Sequence, residues 1–124
     1  MAVFKTREFA RFARREQIQD ASLCEAAARA ERGLVDAELG GGLIKQRIAR
    51  QGQGRRGGFR TLMAFREGQH TVFLYGFAKN ERDNIGADEL VFWRRVASAF
   101  LGMDAAAFAS LTAAGEIMEV APDG

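Results

Sequence analysis

The chain has 124 residues, of which 48% are hydrophobic and 27% charged, and its formal net charge is +2. This length fits one domain, and the hydrophobic fraction supports a core and excludes a disordered chain. No run approaches the ~20 apolar residues of a membrane span, and charges interrupt the N-terminal segment where a signal peptide would need an apolar core. A cytoplasmic protein without contact to a membrane is therefore expected.

The chain contains one cysteine, Cys24, and one histidine, His70. A single cysteine excludes a disulfide within the chain. One cysteine and one histidine are also too few ligands for a typical metal site built from these residue types. Cys24 lies in a helical stretch and is expected to be a buried structural thiol. His70 lies where a turn meets a strand and is expected at the surface rather than in catalysis. No metal and no cofactor are predicted.

The first third of the chain predicts a short strand at residues 2–6 and an amphipathic helix at residues 7–16. Asp20 or Ser22 is expected to cap a second helix, and the segment from Ser22 has the spacing of a capping box. Gly33 is expected to end this helix.

The middle of the chain predicts an antiparallel meander. Glycines 40–42 break the chain, and a loop rich in glycine and arginine is expected at residues 51–58. The strands are predicted at residues 43–50, 59–65 and 71–78. Strand alternation is expected to place Phe73, Tyr75 and Phe77 on one face of the last strand.

The C-terminal part predicts helices. Asp88 is expected to cap a helix through about residue 101, and Asp104 to cap a short helix after it. Residues 116–120 are expected to form a last strand or an ordered extension. The predicted fold is α/β (α+β), a small antiparallel sheet with N-terminal helices on one face and a C-terminal helix. It is expected to be one domain over residues 1–124, with a core of about residues 1–101 and an extension at 102–124.

Basic residues are concentrated in the middle of the chain. No acidic residue lies between Leu39 and Glu67, but seven basic ones do: Lys45, Arg47, Arg50, Arg55, Arg56, Arg60 and Arg66. This asymmetry suits a polyanion or an acidic partner, and a solvated basic surface is the alternative. Lys45 and Arg47 are two apart and share a strand face. Arg60, expected to begin the next strand with its charge toward solvent or phosphate, and Lys79 could meet them on one concave face.

Such a cluster has a plausible chemistry. RNA cleavage by its own 2′-hydroxyl needs that hydroxyl deprotonated, the phosphorane charge neutralised and the leaving oxygen protonated. Arginine and lysine neutralise phosphate charge well. Histidine or a carboxylate usually transfers the protons. A site built only from basic residues would instead depend on a lysine whose pKa is lowered by its positively charged neighbours. Binding of phosphates or of an acidic partner, without catalysis, is the alternative and is favoured by the residues alone.

Two segments resemble the RelE/HigB branch of type II toxins. The first reads Gly-Gly-Phe-Arg-Thr-Leu from Gly57, and the second reads Phe-Leu-Tyr-Gly-Phe-Ala-Lys-Asn-Glu-Arg-Asp-Asn-Ile from Phe73. The resemblance covers most of the chain, from the first helices to about Leu101. It implies a compact α/β toxin that enters the ribosomal A site and cuts mRNA without a metal. It also implies a neutralising antitoxin with a helix-turn-helix DNA-binding part.

The resemblance also implies site residues. Arg60 matches the family's active-site arginine, Lys45 and Arg47 match paired basic residues on the preceding strand, and Lys79 and Arg82 fall in the basic segment after the last central strand. These five are the candidate catalytic residues. The candidate RNA-binding residues are Arg50, Arg55, Arg56 and Asn80.

Three functions stay open at this point. Asn80 stands where the best-known RelE toxins carry an arginine. Gly86 stands near the position where some of them carry a catalytic tyrosine. Tyr75 lies too early in the sequence to replace that tyrosine directly. The first function is a ribosome-dependent mRNA endonuclease, and the second is a ParE-like inhibitor of DNA gyrase that acts by binding a protein. The third is a catalytically inactive module that binds nucleic acid or an antitoxin. The cationic cluster favours the first over the second.

Overall fold

The computed structural model describes residues 2–50, 54–79 and 85–121, with the backbone alone at residue 50 and residues 54–57. In chain order the strands are β1 (Val3–Thr6), β2 (Ala37–Gly40), β3 (Leu43–Arg50), β4 (Gly54–Ala64), β5 (Thr71–Ala78) and β6 (Ile117–Glu119). The helices are α1 (Arg7–Glu16), α2 (Asp20–Glu31), α3 (Ala87–Leu101) and α4 (Ala105–Ala113).

The described strands form a single sheet in the order β2-β3-β4-β5-β1-β6. β3, β4 and β5 pair antiparallel in chain order, which confirms the predicted meander, and β2 extends it at one edge. β1 pairs parallel with β5 and antiparallel with β6, so the sheet is mixed rather than antiparallel throughout. The predicted α/β fold is confirmed, with N-terminal helices on one face and C-terminal helices on the other.

Helix α1 and helix α2 pack on one face of the sheet. The hydroxyl of Thr6 accepts a hydrogen bond from the Phe9 N–H at 3.1 Å, which starts α1 where it is predicted. Phe9 is 1% exposed and packs against Phe73 with ring centroids 5.2 Å apart. Phe12 meets the ring of Phe59 edge-on at 5.6 Å. These aromatic contacts fix α1 across the central strands.

Helix α2 begins earlier than a cap at Asp20 or Ser22 would allow. Its N-cap is Gln19, and Asp20 is already the first helical residue, so the predicted cap is wrong. The Asp20 carboxylate instead accepts hydrogen bonds from Lys5 Nζ at 2.9 Å and from the Ala121 N–H at 3.1 Å. The Asp20 carboxylate therefore binds partners that are distant in the sequence, in β1 and after β6, and does not cap the helix.

Cys24 lies on α2, partly buried against the core that α1 and α2 form. Burial, and to a smaller degree the nearby Asp20 carboxylate, raise the pKa of its thiol. A raised pKa keeps the thiol protonated at neutral pH, and only the thiolate is nucleophilic.

We therefore expect the folded protein to react with iodoacetamide at pH 7.5 several-fold more slowly than the denatured chain. The difference should shrink as the pH rises toward the raised pKa and the thiolate forms. Mass spectrometry of the adduct measures this directly, because Cys24 is the only cysteine. Equal rates for folded and denatured protein at pH 7.5 would contradict the expectation.

Strand β5 has the predicted bounds but contains a bulge. Leu62 of β4 pairs with Tyr75, whereas the next residue, Met63, pairs with Phe73, which leaves Leu74 as an extra residue. The bulge reverses the alternation. Phe73 therefore joins the core beneath α1, whereas Tyr75 packs with the core on the opposite face. The prediction that Phe73 shares a face with Tyr75 is wrong for this reason.

Helices α3 and α4 cover part of the opposite face. The Gly86 N–H donates to Glu89 Oε1 at 3.1 Å, and the helix starts there, so Asp88 lies in the first turn and is not the predicted cap. Asp104 caps α4 as predicted, and its carboxylate accepts from the Ala107 N–H at 2.9 Å. β6 lies beside β1 at the sheet edge, so the segment after Gly102 contributes to the same sheet and core.

Within the described ranges, no helix taken singly is both long and apolar enough to cross a membrane. Helices α3 and α4 reach the required length and composition only as a pair, and they meet at an angle of 112°.

Candidate functional site

Three cationic side chains lie on the sheet face opposite α1 and α2. In the register between β3 and β4, Lys45 pairs with Leu62 and Arg47 pairs with Arg60. Arg60 in turn lies opposite Phe77 of β5. Directly opposed residues of antiparallel strands project from the same face. Lys45, Arg47 and Arg60 therefore form one group, named here the cationic face.

The three members of the cationic face differ in exposure. Arg47 is exposed, Lys45 is half-buried, and Arg60 is only 8% exposed. β4 begins at Gly54, within the stretch predicted as a loop, so Arg60 lies inside the strand and not at its start. The expectation that its charged end reaches open solvent is therefore wrong. Its place between Arg47 on one side and Phe77 on the other accounts for this burial.

The direct pairing of Arg47 with Arg60 brings two positive charges onto neighbouring strands. Like charges that face each other across a sheet are destabilising. An anion bound between them would be attracted to both, since guanidinium groups form strong, directional hydrogen bonds with phosphate oxygens. The cationic face is thus suited chemically to a phosphate.

Tyr75 and Trp93 stack beside the cationic face. Tyr75 lies opposite Leu62, whose other neighbour is Lys45, and its ring lies 5.3 Å from that of Trp93 at an angle of 26°. Aromatic rings beside cationic side chains can stack nucleobases. No sequence signal linked Trp93 to Tyr75. The Leu74 bulge is what brings Tyr75 to this face.

The remaining predicted site residues are described only in part. Lys79 is exposed and is the first residue after the C-terminal end of β5. Phe77 lies between it and Tyr75 along the chain. Its meeting with the cationic face stays a prediction. Two candidates lie outside the described residues, Asn80 and Arg82. The side chains of three others also lie outside them, Arg50, Arg55 and Arg56.

His70 has a packing role at the opposite end of β5. Its Nδ1 accepts a hydrogen bond from the Ala2 N–H at 3.0 Å, and its ring meets Phe4 and Phe108 edge-on at 5.4 and 4.9 Å. It is half-buried there rather than at the open surface. Across the part of the chain that the structure describes, no three histidine, cysteine or carboxylate residues are grouped to hold a metal ion.

Comparison with known proteins identifies the family. A family model described as the RelE toxin of the RelE/RelB toxin–antitoxin system matches residues 1–120. No curated protein matches the chain. The family match spans the sheet, both helical layers and the cationic face, and membership implies an antitoxin as partner. The chain therefore belongs to the RelE toxin family and is the toxin of a toxin–antitoxin system.

Proposed function

We propose that this toxin is a metal-independent endoribonuclease that cuts mRNA on the ribosome in the cytoplasm and so inhibits translation. The observation that carries the proposal is the strand register, which gives Lys45, Arg47 and Arg60 a common face. A face with three positive charges and no acidic residue on the contributing strands suits the phosphates of mRNA and ribosomal RNA. Inhibition of DNA gyrase by protein binding would not need this concentration of charge.

The proposed reaction uses the RNA as its own nucleophile. The 2′-oxygen attacks the adjacent phosphorus, the bond from phosphorus to the 5′-oxygen breaks, and a 2′,3′-cyclic phosphate and a 5′-hydroxyl result. One proton leaves the 2′-hydroxyl and one is delivered to the 5′-oxygen. Arg60 and Arg47 would stabilise the charge of the phosphorane, the step in which preorganised donors contribute most. Lys79 is the candidate for proton transfer, with Lys45 beside the phosphate and Arg82 supporting it.

Other residues would bind rather than react. Arg50, Arg55, Arg56 and Asn80 are proposed to contact the RNA backbone, an interaction whose strength falls as salt rises. The antitoxin partner is proposed to carry a helix-turn-helix DNA-binding part. A small gene of that type beside the toxin gene would support this assignment.

Expression of the chain without its antitoxin should arrest bacterial growth and protein synthesis. Purified toxin added to ribosomes programmed with a defined mRNA should produce cut mRNA, mapped by primer extension, and the ends should be a cyclic phosphate and a 5′-hydroxyl. Naked mRNA under the same conditions is the control for ribosome dependence.

Two other results would decide against the proposal. Normal growth despite confirmed accumulation of the protein, with intact mRNA on ribosomes, would support an inactive binding module. A DNA-damage response with translation intact would support a gyrase inhibitor.

A further inference from the structure

The backbone N–H and the backbone carbonyl oxygen of Arg47 both form hydrogen bonds with side chains. Its N–H donates to Asp36 Oδ2 at 2.6 Å, and its carbonyl oxygen accepts from Arg29 Nη2 at 2.5 Å. The backbone ladder between β2 and β3 reaches only to the pair of Ala37 with Lys45. At Arg47 two side chains therefore replace the strand that has ended, and this arrangement is named here the Arg47 clasp.

The Arg47 clasp is itself anchored from two elements. Arg29 projects from α2, is 5% exposed and pairs with Glu25 Oε2 at 2.8 Å, and its Nη1 lies 3.9 Å from Asp36 Oδ2. Asp36 is fixed by its backbone as well, because its N–H donates to Gln46 Oε1 at 2.8 Å. A buried arginine with these partners has little rotational freedom, so the clasp is rigid.

Gln46 ties the same segment to α2. It is fully buried, and its Nε2 donates to the carbonyl oxygens of Ala26 at 3.0 Å and Leu34 at 3.2 Å. Residues 46 and 47 of β3 are therefore attached to α2 and to the segment before β2 by side-chain hydrogen bonds. These hydrogen bonds hold the sheet edge at the residue whose side chain belongs to the cationic face.

We propose that Arg29 and Asp36 are positioning residues that set the backbone of Arg47 and so the direction of its guanidinium toward the RNA phosphate. The inference rests on the proposed nuclease function. Arg47 lies directly opposite Arg60 in the strand register, and the Arg47 clasp holds the backbone of Arg47 in that place. A site residue displaced by about 1 Å can lose on the order of 100-fold in rate, so the clasp should affect the chemical step.

Asp36→Ala tests the inference, with Asp20→Ala as its matched control. Both carboxylates accept a backbone N–H and pair with a basic side chain, but Asp20 acts at β1, three strands from β3. Single-turnover mRNA cleavage on programmed ribosomes is measured over a range of toxin concentrations. We expect Asp36→Ala to lower the saturating rate by roughly tenfold with an unchanged half-saturating concentration. Asp20→Ala should keep the parent rate.

Conservative variants separate positioning from a loss of stability. Asp36→Asn keeps an oxygen that can accept from the Arg47 N–H, and it should recover most of the rate. Arg29→Lys keeps the positive charge but cannot reach all three partners, and it should show a reduced saturating rate even where Asp36→Ala fails to fold. Thermal unfolding confirms that each compared variant is folded.

The outcomes are distinguishable. If the parent toxin cleaves and folded Asp36→Ala and Arg29→Lys cleave at the rate of Asp20→Ala, the positioning inference is overturned and the nuclease function stands. If Asp36→Ala changes only the half-saturating concentration, the clasp acts in binding and the inference is likewise overturned. If the parent toxin does not cleave ribosome-bound mRNA, the proposed function fails, and this inference fails with it.

Discussion

Replacement of Arg60 by alanine should lower the rate of ribosome-dependent mRNA cleavage by roughly 10²–10³. Arg60 is held within β4 between Arg47 and Phe77, so its guanidinium is oriented before RNA binds. A donor that needs no reorganisation stabilises the phosphorane more than a mobile one does. The measurement is the single-turnover rate at saturating toxin, with circular dichroism to show that the variant is folded.

The matched control for this change is Arg66→Ala. Arg66 belongs to the same acid-free stretch but is exposed beyond the end of β4. Its loss should leave the saturating rate near that of the parent, whereas Lys79→Ala should be severe if Lys79 moves a proton. A folded Arg60→Ala protein that cleaves at the parent rate would remove Arg60 from the active site.

A large loss of stability is expected from Gly76→Ala. A Cβ at Gly76 would lie 2.3 Å from Cε2 and 2.6 Å from Cδ2 of Phe12, a buried residue of α1. The ring must shift in a packed core, and overpacking of this kind costs about 2 kcal/mol. For a chain of this length we expect the melting temperature to fall by about 8 °C in thermal unfolding.

Two further variants show whether the clash is the cause. Gly102→Ala is the control, since a Cβ there would meet only ordinary contacts at 3.5 Å or more. It should not lower the melting temperature, and a rise of about 2–4 °C is expected because a compatible Gly→Ala change stabilises the fold by about 0.4–1 kcal/mol. Phe12→Leu combined with Gly76→Ala should cost less than the sum of the two single changes, because the smaller side chain leaves room for the methyl group. Strict additivity would mean that Phe12 does not create the strain.

Local patterns predicted most elements of the fold because their determinants lie within the elements. The apolar spacing of α1, the Asp104 cap and the alternation of β3 each act over a few residues. β2 was not predicted, because Ala37–Gly40 has no strand-like composition and depends on its pairing with β3. The parallel pairing of β1 with β5 likewise depends on residues far apart in the chain.

The site was predictable to a similar degree. The spacing of Lys45 and Arg47 is enough to place them on one face, and the meander brings Arg60 beside them. Three features were beyond local reasoning: the burial of Arg60, the Leu74 bulge that directs Tyr75, and the Arg47 clasp. Each depends on side chains from different elements, and a single sequence carries no periodic signal for such contacts.

The position of β1 determines when the toxin can finish folding. β1 lies between β5 and β6, yet its partners begin at residue 71 and residue 117. Closing such long loops is entropically costly and makes folding slow. During synthesis β1 is made before both of its neighbours, and it must wait for residues 71–73 and then for residues 117–119. The sheet therefore cannot be complete until residues 117–119 are available to pair with β1.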